Sequence, residues 1–210
     1  MEQERLNRLS TALRRHQIGC TPLSSSKELR GILESEIPEG SVVAFGGSMT
    51  LAETGTLELL REWDKTGRIT LLDRGKPGLS PTEVDEVLRR SFFADVYLTS
   101  VNALTEDGFL YNVDGNGNRV AAMIFGPKKV LVIAGTNKLV PDREGAIERV
   151  RQIAAPQNAK RLHRDTPCTK TGHCCDCLHP ERICCSYTFF GMQRDKNRMH
   201  VILIDEVLGY

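Results

Sequence analysis

Six of the seven cysteines fall between Cys168 and Cys185, in the run Pro167-Cys168-x5-Cys174-Cys175-x-Cys177-x6-Cys184-Cys185. Thiolates are soft ligands, and a C-x2-C step lets one backbone turn offer two sulfurs to a common centre while its N–H groups bond to them. Taking Cys168, Cys174, Cys177 and Cys184 as ligands gives C-x5-C-x2-C-x6-C. Structural zinc usually shows two short-spaced ligand pairs, whereas cubane clusters combine C-x2-C steps with a more distant fourth thiolate. The spacing therefore favours an iron-sulfur cluster, 4Fe-4S first, over zinc, with a set of unmetallated redox thiols as the third alternative. His163, His173 and His179 lie near the run and are alternative ligands, although a histidine on a polar loop is more often solvated. Cys20 stands apart and reads as a small buried apolar side chain.

Two other stretches can bind a small molecule. Phe45-Gly46-Gly47-Ser48-Met49-Thr50 leaves a strand and opens a helix. Glycines there let backbone N–H groups approach an anion such as phosphate or carboxylate, while the plainer reading is a tight turn with Thr50 and Glu53 as a capping box. Asn112-Val113-Asp114-Gly115-Asn116-Gly117-Asn118-Arg119 also joins a strand to a helix. Gly115-x-Gly117 lacks the third glycine of a dinucleotide fingerprint, and no acid follows at the expected distance, so NAD is not indicated. Asn, Asp and Gly favour turns for local reasons. Even so, Asn112, Asp114, Asn118 and Arg119 supply more hydrogen-bonding groups than a turn needs. They point to a small polar ligand, with Arg119 on its anionic part. Lys138, Arg143 and Arg161 read as solvated side chains or as supports just behind a site.

The elements that must position these residues follow from apolar periodicity. Leu6, Leu9 and Leu13 share one helical face, and Leu29, Ile32, Leu33 and Ile37 mark a second helix capped by Ser26. From residue 41 short apolar strands alternate with helices: strands over 41–45, 69–72, 95–101 and 129–134, a helix from the glycine turn to about Trp63, and one opened by Ser80, Pro81 and Glu83. Glu106-Asp107-Gly108 turns a hairpin between 103–104 and 109–113, and Val120–Phe125 is helical. Ala146, Ile147, Val150 and Ile153 share a helical face; after Pro156 the rhythm dissolves into the cysteine loop until a final strand over 201–204. This alternation predicts an α/β fold of three layers around a mostly parallel sheet, with N-terminal helices over 1–40 packing on the core and a domain over 41–210 that includes the cysteine-rich loop 167–185.

Composition narrows the partners. Lys and Arg number 28 against 27 Asp and Glu, with no long block of one sign, so neither nucleic acid nor an anionic membrane is expected. No apolar run is long enough to insert in a membrane, and the polar start Met-Glu-Gln-Glu-Arg lacks the apolar core of a secretory signal. The expectation is a cytoplasmic protein, where clustered thiols stay reduced and serve as ligands or redox groups.

Several ordered motifs resemble the lactate-utilisation (LUD) domain family: Gly46-Gly47-Ser48-Met49-Thr50-Leu51, Asn102-Ala103-Leu104-Thr105-Glu106-Asp107-Gly108, Asn112 to Arg119, and Lys128-Lys129-Val130. The tail is similar to that family as well, through Pro167-Cys168, Thr171-Gly172, Cys174, Asp176-Cys177, Pro180 and Arg182-Ile183-Cys184. The resemblance implies the fold of glucosamine-6-phosphate deaminase, ribose-5-phosphate isomerase and the coenzyme A transferases (NagB/RpiA/CoA transferase-like). It also implies one pocket where Gly46, Gly47, Ser48, Thr50, Asn102, Asn112, Asp114, Asn118 and Arg119 meet. The catalytic cysteine-and-aspartate pair of related sugar-phosphate isomerases has no clear counterpart; Asn102 stands where their acid is expected. By resemblance, Cys175 and Cys185 are extras beside the four principal cysteines. Family members take part in an iron-sulfur complex that oxidises L-lactate to pyruvate together with other cluster-binding subunits. The expected role is thus an oxidoreductase component acting on L-lactate or a similar hydroxy acid. Its expected partners are a small anionic metabolite, other iron-sulfur oxidoreductase subunits and a second copy of the chain. The alternative is a non-redox, small-molecule-binding protein or enzyme of the isomerase or transferase type with structural zinc.

Overall fold

A computed structural model describes residues 3–210; Met1 and Glu2 of the polar start lie outside the described residues. In chain order the elements are α1 Gln3–Arg15, β1 Gly19–Leu23, α2 Leu29–Glu36, β2 Val42–Phe45, α3 Met49–Glu53, α4 Thr56–Lys65, β3 Thr70–Leu72, α5 Pro81–Arg90, β4 Val96–Thr99, β5 Ala103–Thr105, β6 Leu110–Asp114 and α6 Asn118–Ile124. There follow β7 Lys129–Gly135, β8 Leu139–Val140, α7 Arg143–Arg149, a π-helical turn Val150–Ala154, α8 Ala155–Arg161, α9 Pro167–Thr171, β9 Ser186–Phe190 and β10 Met199–Ile204.

Six strands form one wholly parallel sheet in the order β1-β10-β7-β4-β2-β3. Side chains alternate across it. Val130, Val132, Val201 and Leu203 face a core completed by Leu9 and Leu13 of α1 and Val120 and Met123 of α6. Leu131, Ile133, Ile202 and Ile204 face the opposite core, closed by Leu29 and Leu33 of α2, Leu51 of α3, and Leu60 and Trp63 of α4. Both faces are thereby covered, as a parallel sheet requires, and the expected three-layer α/β architecture is observed.

A second sheet, β8-β5-β6-β9, carries the predicted hairpin and packs under α7, the π turn and α8 through Ala103, Tyr111, Ala146, Val150 and Ala154. It differs from the sequence expectation, because β9 pairs antiparallel with β6 from Leu110↔Phe190 to Asp114↔Ser186. The cysteine loop is therefore pinned between α8 and this sheet, and a strand of a different sheet separates it from β10. The segment expected to be helical over 1–40 also contains β1, which adds an edge to the main sheet alongside β10.

Other expectations shift locally. Ser25, not Ser26, caps the turn before α2, in a capping box with Glu28. The helix expected to run to Trp63 is broken in two at Gly55, whose φ of 67° lies in the left-handed region that glycine tolerates. The helix also continues past Pro156. The π turn before it loosens the backbone ladder, and Pro156 occupies a first-turn position of α8 where a missing N–H costs little.

Candidate functional site

The hairpin, the glycine turn and the start of α6 meet at the carboxyl ends of β2, β4 and β7, around an open cleft of about 100 Å³. Gly46 makes this meeting possible. A Cβ on it would lie 3.0 Å from Tyr97 Oη and 3.2 Å from Thr99 Oγ1 and Arg119 Cγ, so only a bare backbone passes comfortably between β4 and the arginine. Ser48 caps α3 by accepting from Leu51 N. That overturns the expected pairing of Thr50 with Glu53: Glu53 Oε2 instead accepts from Gly209 N at 2.6 Å.

Of the residues expected to meet, Gly47, Ser48, Asn102, Asp114 and Arg119 line the cleft. Thr50 and Asn112 are wholly buried behind its wall, and Gly46 is buried beneath the turn. Asn118 lies elsewhere, beside Asn116 and Arg89 of α5 on a separate depression. Asn112 explains the hairpin rather than the ligand: its Oδ1 accepts from Asn102 N at 3.4 Å and its Nδ2 donates to Met123 Sδ at 2.9 Å.

Arg119 is likewise committed to the chain. It donates through Nε to Asp114 Oδ1 at 2.8 Å, through Nη1 to Ser100 O at 3.2 Å, and through Nη2 to Asn102 Oδ1 at 2.8 Å and Val113 O at 3.0 Å. Asp114 is also engaged at its other oxygen, which accepts from Val120 N in the first turn of α6. The expected ligand arginine is thus the clamp that joins the hairpin, the end of β4 and α6.

Sequence reasoning did not single out Lys138 as a lining residue. Read as solvated or as a support behind the site, it is only 3% exposed and lines the cleft from the turn after β7. Its Nζ donates to Thr50 Oγ1 at 2.7 Å and Ser100 Oγ at 2.9 Å. Burial lowers the amine's pKa to about 7; Arg149 and Arg119 push the same way, and Glu53 opposes them. Arg161 also reaches the cleft, where its Nε donates to Tyr210 Oη at 2.7 Å. Only Arg143 is outlying as expected, stacked 3.8 Å from the Phe109 ring centre. The lining therefore carries three cationic side chains, Arg119, Lys138 and Arg161, against the single carboxylate of Asp114. No sequence periodicity marks a lysine for burial; only the glycine Gly135 and the turn following it hint that the chain doubles back there.

Cys168, Cys174, Cys177 and Cys184 border one small cavity of about 20 Å³, with Arg182 and Ile183 completing its wall. Cys175 borders it as well, whereas Cys185 does not, and His163, His173 and His179 are absent from its lining. All seven cysteines are free thiols. Asp176 takes φ 49°, unusual without glycine, and this turn brings its N–H to Cys174 Sγ at 3.4 Å. Burial first, and then the neighbouring Cys174, Cys168 and Cys177, raise the Cys184 thiol to about 11, against the opposing pull of Arg182. Gathered thiolates need a positive centre to hold them ionised, which is what a metal supplies. The donor set accordingly fits an iron-sulfur or zinc centre in its chemistry. Bordering a cavity is a weaker condition than closing on a point, and among the described residues no three His, Cys, Asp or Glu side chains form a single-ion group.

The two cavities share a wall. A Cβ on Gly115, which lines the cleft, would lie 3.5 Å from Cα of Ile183, which lines the thiol cavity, and Cys185 N donates to Asp114 O at 2.9 Å.

A family model described as the LUD domain matches residues 6–204. The chain belongs to the LUD domain family. This LUD domain is similar over its whole length to a DUF162 family protein from Deinococcus radiodurans: TM-score 0.52, 14% identity, with 96% of each chain covered. Partial similarity extends to the Pyrococcus horikoshii translation initiation factor eIF-2B (TM-score 0.35, 19% identity, 56% of this chain and 48% of that one). Ribose 5-phosphate isomerase from Plasmodium falciparum overlaps similarly (TM-score 0.36, 10% identity, 55% and 52%), so the LUD domain spans about half of either protein. No curated protein matches the sequence. At family level the chain is a lactate-utilisation-type protein. Among the described residues no helix is long and apolar enough to cross a membrane.

Proposed function

We propose that this LUD domain is an iron-sulfur component in the oxidation of L-lactate or a similar small hydroxy acid, working in the cytoplasm with other iron-sulfur oxidoreductase subunits. The observation that carries the reading is the shared wall: a cationic cleft and a thiol cavity that holds all four expected ligand cysteines, separated by the backbones of Gly115 and Ile183. Cys168, Cys174, Cys177 and Cys184 would hold the cluster, and a cluster bound there supplies one-electron transfer. The chain's own residues do the rest. The positive lining attracts an anionic acid, and Arg119 with Asp114 fixes the hairpin against the end of β4 so that the walls keep their spacing. Asp176 and Arg182 fold the loop around the thiols: Arg182 donates to the Cys177 carbonyl, to Cys184 O at 3.0 Å and to Tyr187 Oη at 2.9 Å. Leu178 and Tyr187 stand exposed beside the thiols and offer apolar surface for a partner subunit.

Protein purified without oxygen tests the reading. It should be brown, contain iron and sulfide, and absorb near about 400 nm, as expected of a cysteine-ligated cluster. Changing Cys177 to serine should remove most of that absorbance. Colourless protein holding stoichiometric zinc would overturn the redox assignment in favour of a structural metal beside a non-redox site.

A further inference from the structure

A buried ammonium is ordinarily balanced by a carboxylate, because leaving it unpaired costs several kcal/mol. Among the described residues no carboxylate pairs with Lys138. Its Nζ meets two hydroxyls, Thr50 and Ser100, and the nearest acid influencing it, Glu53, is occupied by Gly209 N. An ammonium has three N–H donors, and two are accounted for. The side chain nevertheless lines the cleft. The neighbouring cations are each tied to acceptors of the chain: Arg119 spends four of its five N–H groups on Asp114, Asn102 and two carbonyls, Arg149 bonds the carbonyl oxygens of Asn137 and Asn102, and Arg161 bonds Asn158 and Tyr210.

We propose that Lys138 is the anion seat of the cleft: a small oxyanion, carboxylate or phosphate, binds against Nζ between Thr50 and Ser100 and supplies its missing counter-charge. This deepens the reading that the cleft takes a small anionic metabolite and rests on it. It also assigns the role expected for Arg119, which is paired with Asp114, to a cation that no carboxylate pairs with among the described residues. Binding couples to a proton. The groups that face the amine are Arg119 from α6, Arg149 from α7, Glu53 from α3 and, in the cleft lining, Arg161 from α8 and Asp114 from β6; the three arginines outnumber the two acids. An unliganded amine in that field loses its proton easily, and an oxyanion beside it restores the proton. The ligand should therefore enter together with H⁺, taken from solvent.

Calorimetric titration of the full, metal-replete protein with L-lactate, pyruvate and inorganic phosphate tests this, run at about pH 8 in two buffers of different ionisation enthalpy. Wild-type protein should bind at least one of the three with net proton uptake. The carboxylates and the phosphate distinguish the two sources of the oxyanion. Lys138→Met, similar in shape and uncharged, should bind about 10- to 100-fold more weakly and without proton uptake. Wild-type protein also permits a test that needs no variant: acetylation of Lys138 by acetic anhydride, followed by mass spectrometry, should slow when the bound anion is present. Equal binding by wild type and a folded Lys138→Met, or labelling indifferent to a bound anion, overturns the seat while leaving the cleft as an anion site. No binding of any probe to wild type overturns both.

Discussion

At the scale of single residues, the cleft turns on a division of labour between two cations. Arg119 was the expected ligand group because its guanidinium matches an oxyanion fork, yet its donors are taken up by Asp114, Asn102 and two backbone carbonyls. Lys138, read as solvated or supporting, lies buried in the cleft lining instead. Neither outcome can be read from residue type, since both depend on which strand ends converge. The lysine also leaves a mark on stability. Its amine is held near pH 7 when folded but near its ordinary value of about 10.5 when unfolded, so between those values the unfolded chain binds the extra proton. Stability contributed by this group therefore rises with pH across that window, by at most about 1.4 kcal/mol per pH unit. Melting of unliganded wild type should improve from about pH 7 to pH 9 relative to Lys138→Met, in which that slope is absent. A parallel pH dependence in both proteins would show that the amine keeps its proton in the folded state.

At the scale of elements, most of the fold was legible and the exceptions share a cause. Helix α5, with no buried residue, is legible through its Ser80–Glu83 capping box, whereas the buried strands β2, β4, β7 and β10 and the helices α1 and α2 follow apolar periodicity because tertiary burial and local pattern agree. The unread strands are those where they do not. β1 contains Gly19 and Pro22, tolerated because it is an edge, and β8 has only two residues. β9, Ser-Tyr-Thr-Phe-Phe, alternates well, but the adjoining cysteine run drew it into a loop. Through β9, the cysteine segment is anchored at one end to β6 and at the other to α8. Between those anchors Arg182 is the main tie, bonded to two cysteine carbonyls and to Tyr187. Replacing Arg182 by glutamine should raise amide hydrogen exchange over residues 174–185 about tenfold or more, the signature of local opening. The melting temperature of the core should hardly move, because the hydrogen bonds of this side chain go to the cysteine segment and to Tyr187. Unchanged exchange would mean that the thiols, not Arg182, order the loop.

At the scale of the whole molecule, the N-terminal segment is structural. β1 extends the sheet beside β10, and α1 places Leu9 and Leu13 on the core face that β7 and β10 present. With Ile18 and Leu23, that is four buried aliphatic side chains, each worth about 1.5–3 kcal/mol. Their sum rivals the ~5–15 kcal/mol that typically separates a folded domain from its unfolded chain. Deleting residues 3–23 should therefore abolish cooperative melting or render the protein insoluble; a well-folded truncation would show that the sheet tolerates β10 as its edge.

The contact between Gly115 and Ile183 has a thermodynamic consequence. Gly115 walls the cleft and Ile183, packed against it, walls the thiol cavity, so a shift of either backbone on filling its compartment would press on the other. Such coupling is reciprocal by necessity: if filling the thiol cavity tightens the grip on an anion by some factor, the anion tightens the hold on whatever the thiols bind by the same factor. A single glycine, conspicuous in the sequence only as part of a polar turn, would then act as the hinge pin of a two-site ledger in which neither ligand can be exchanged without the other registering it.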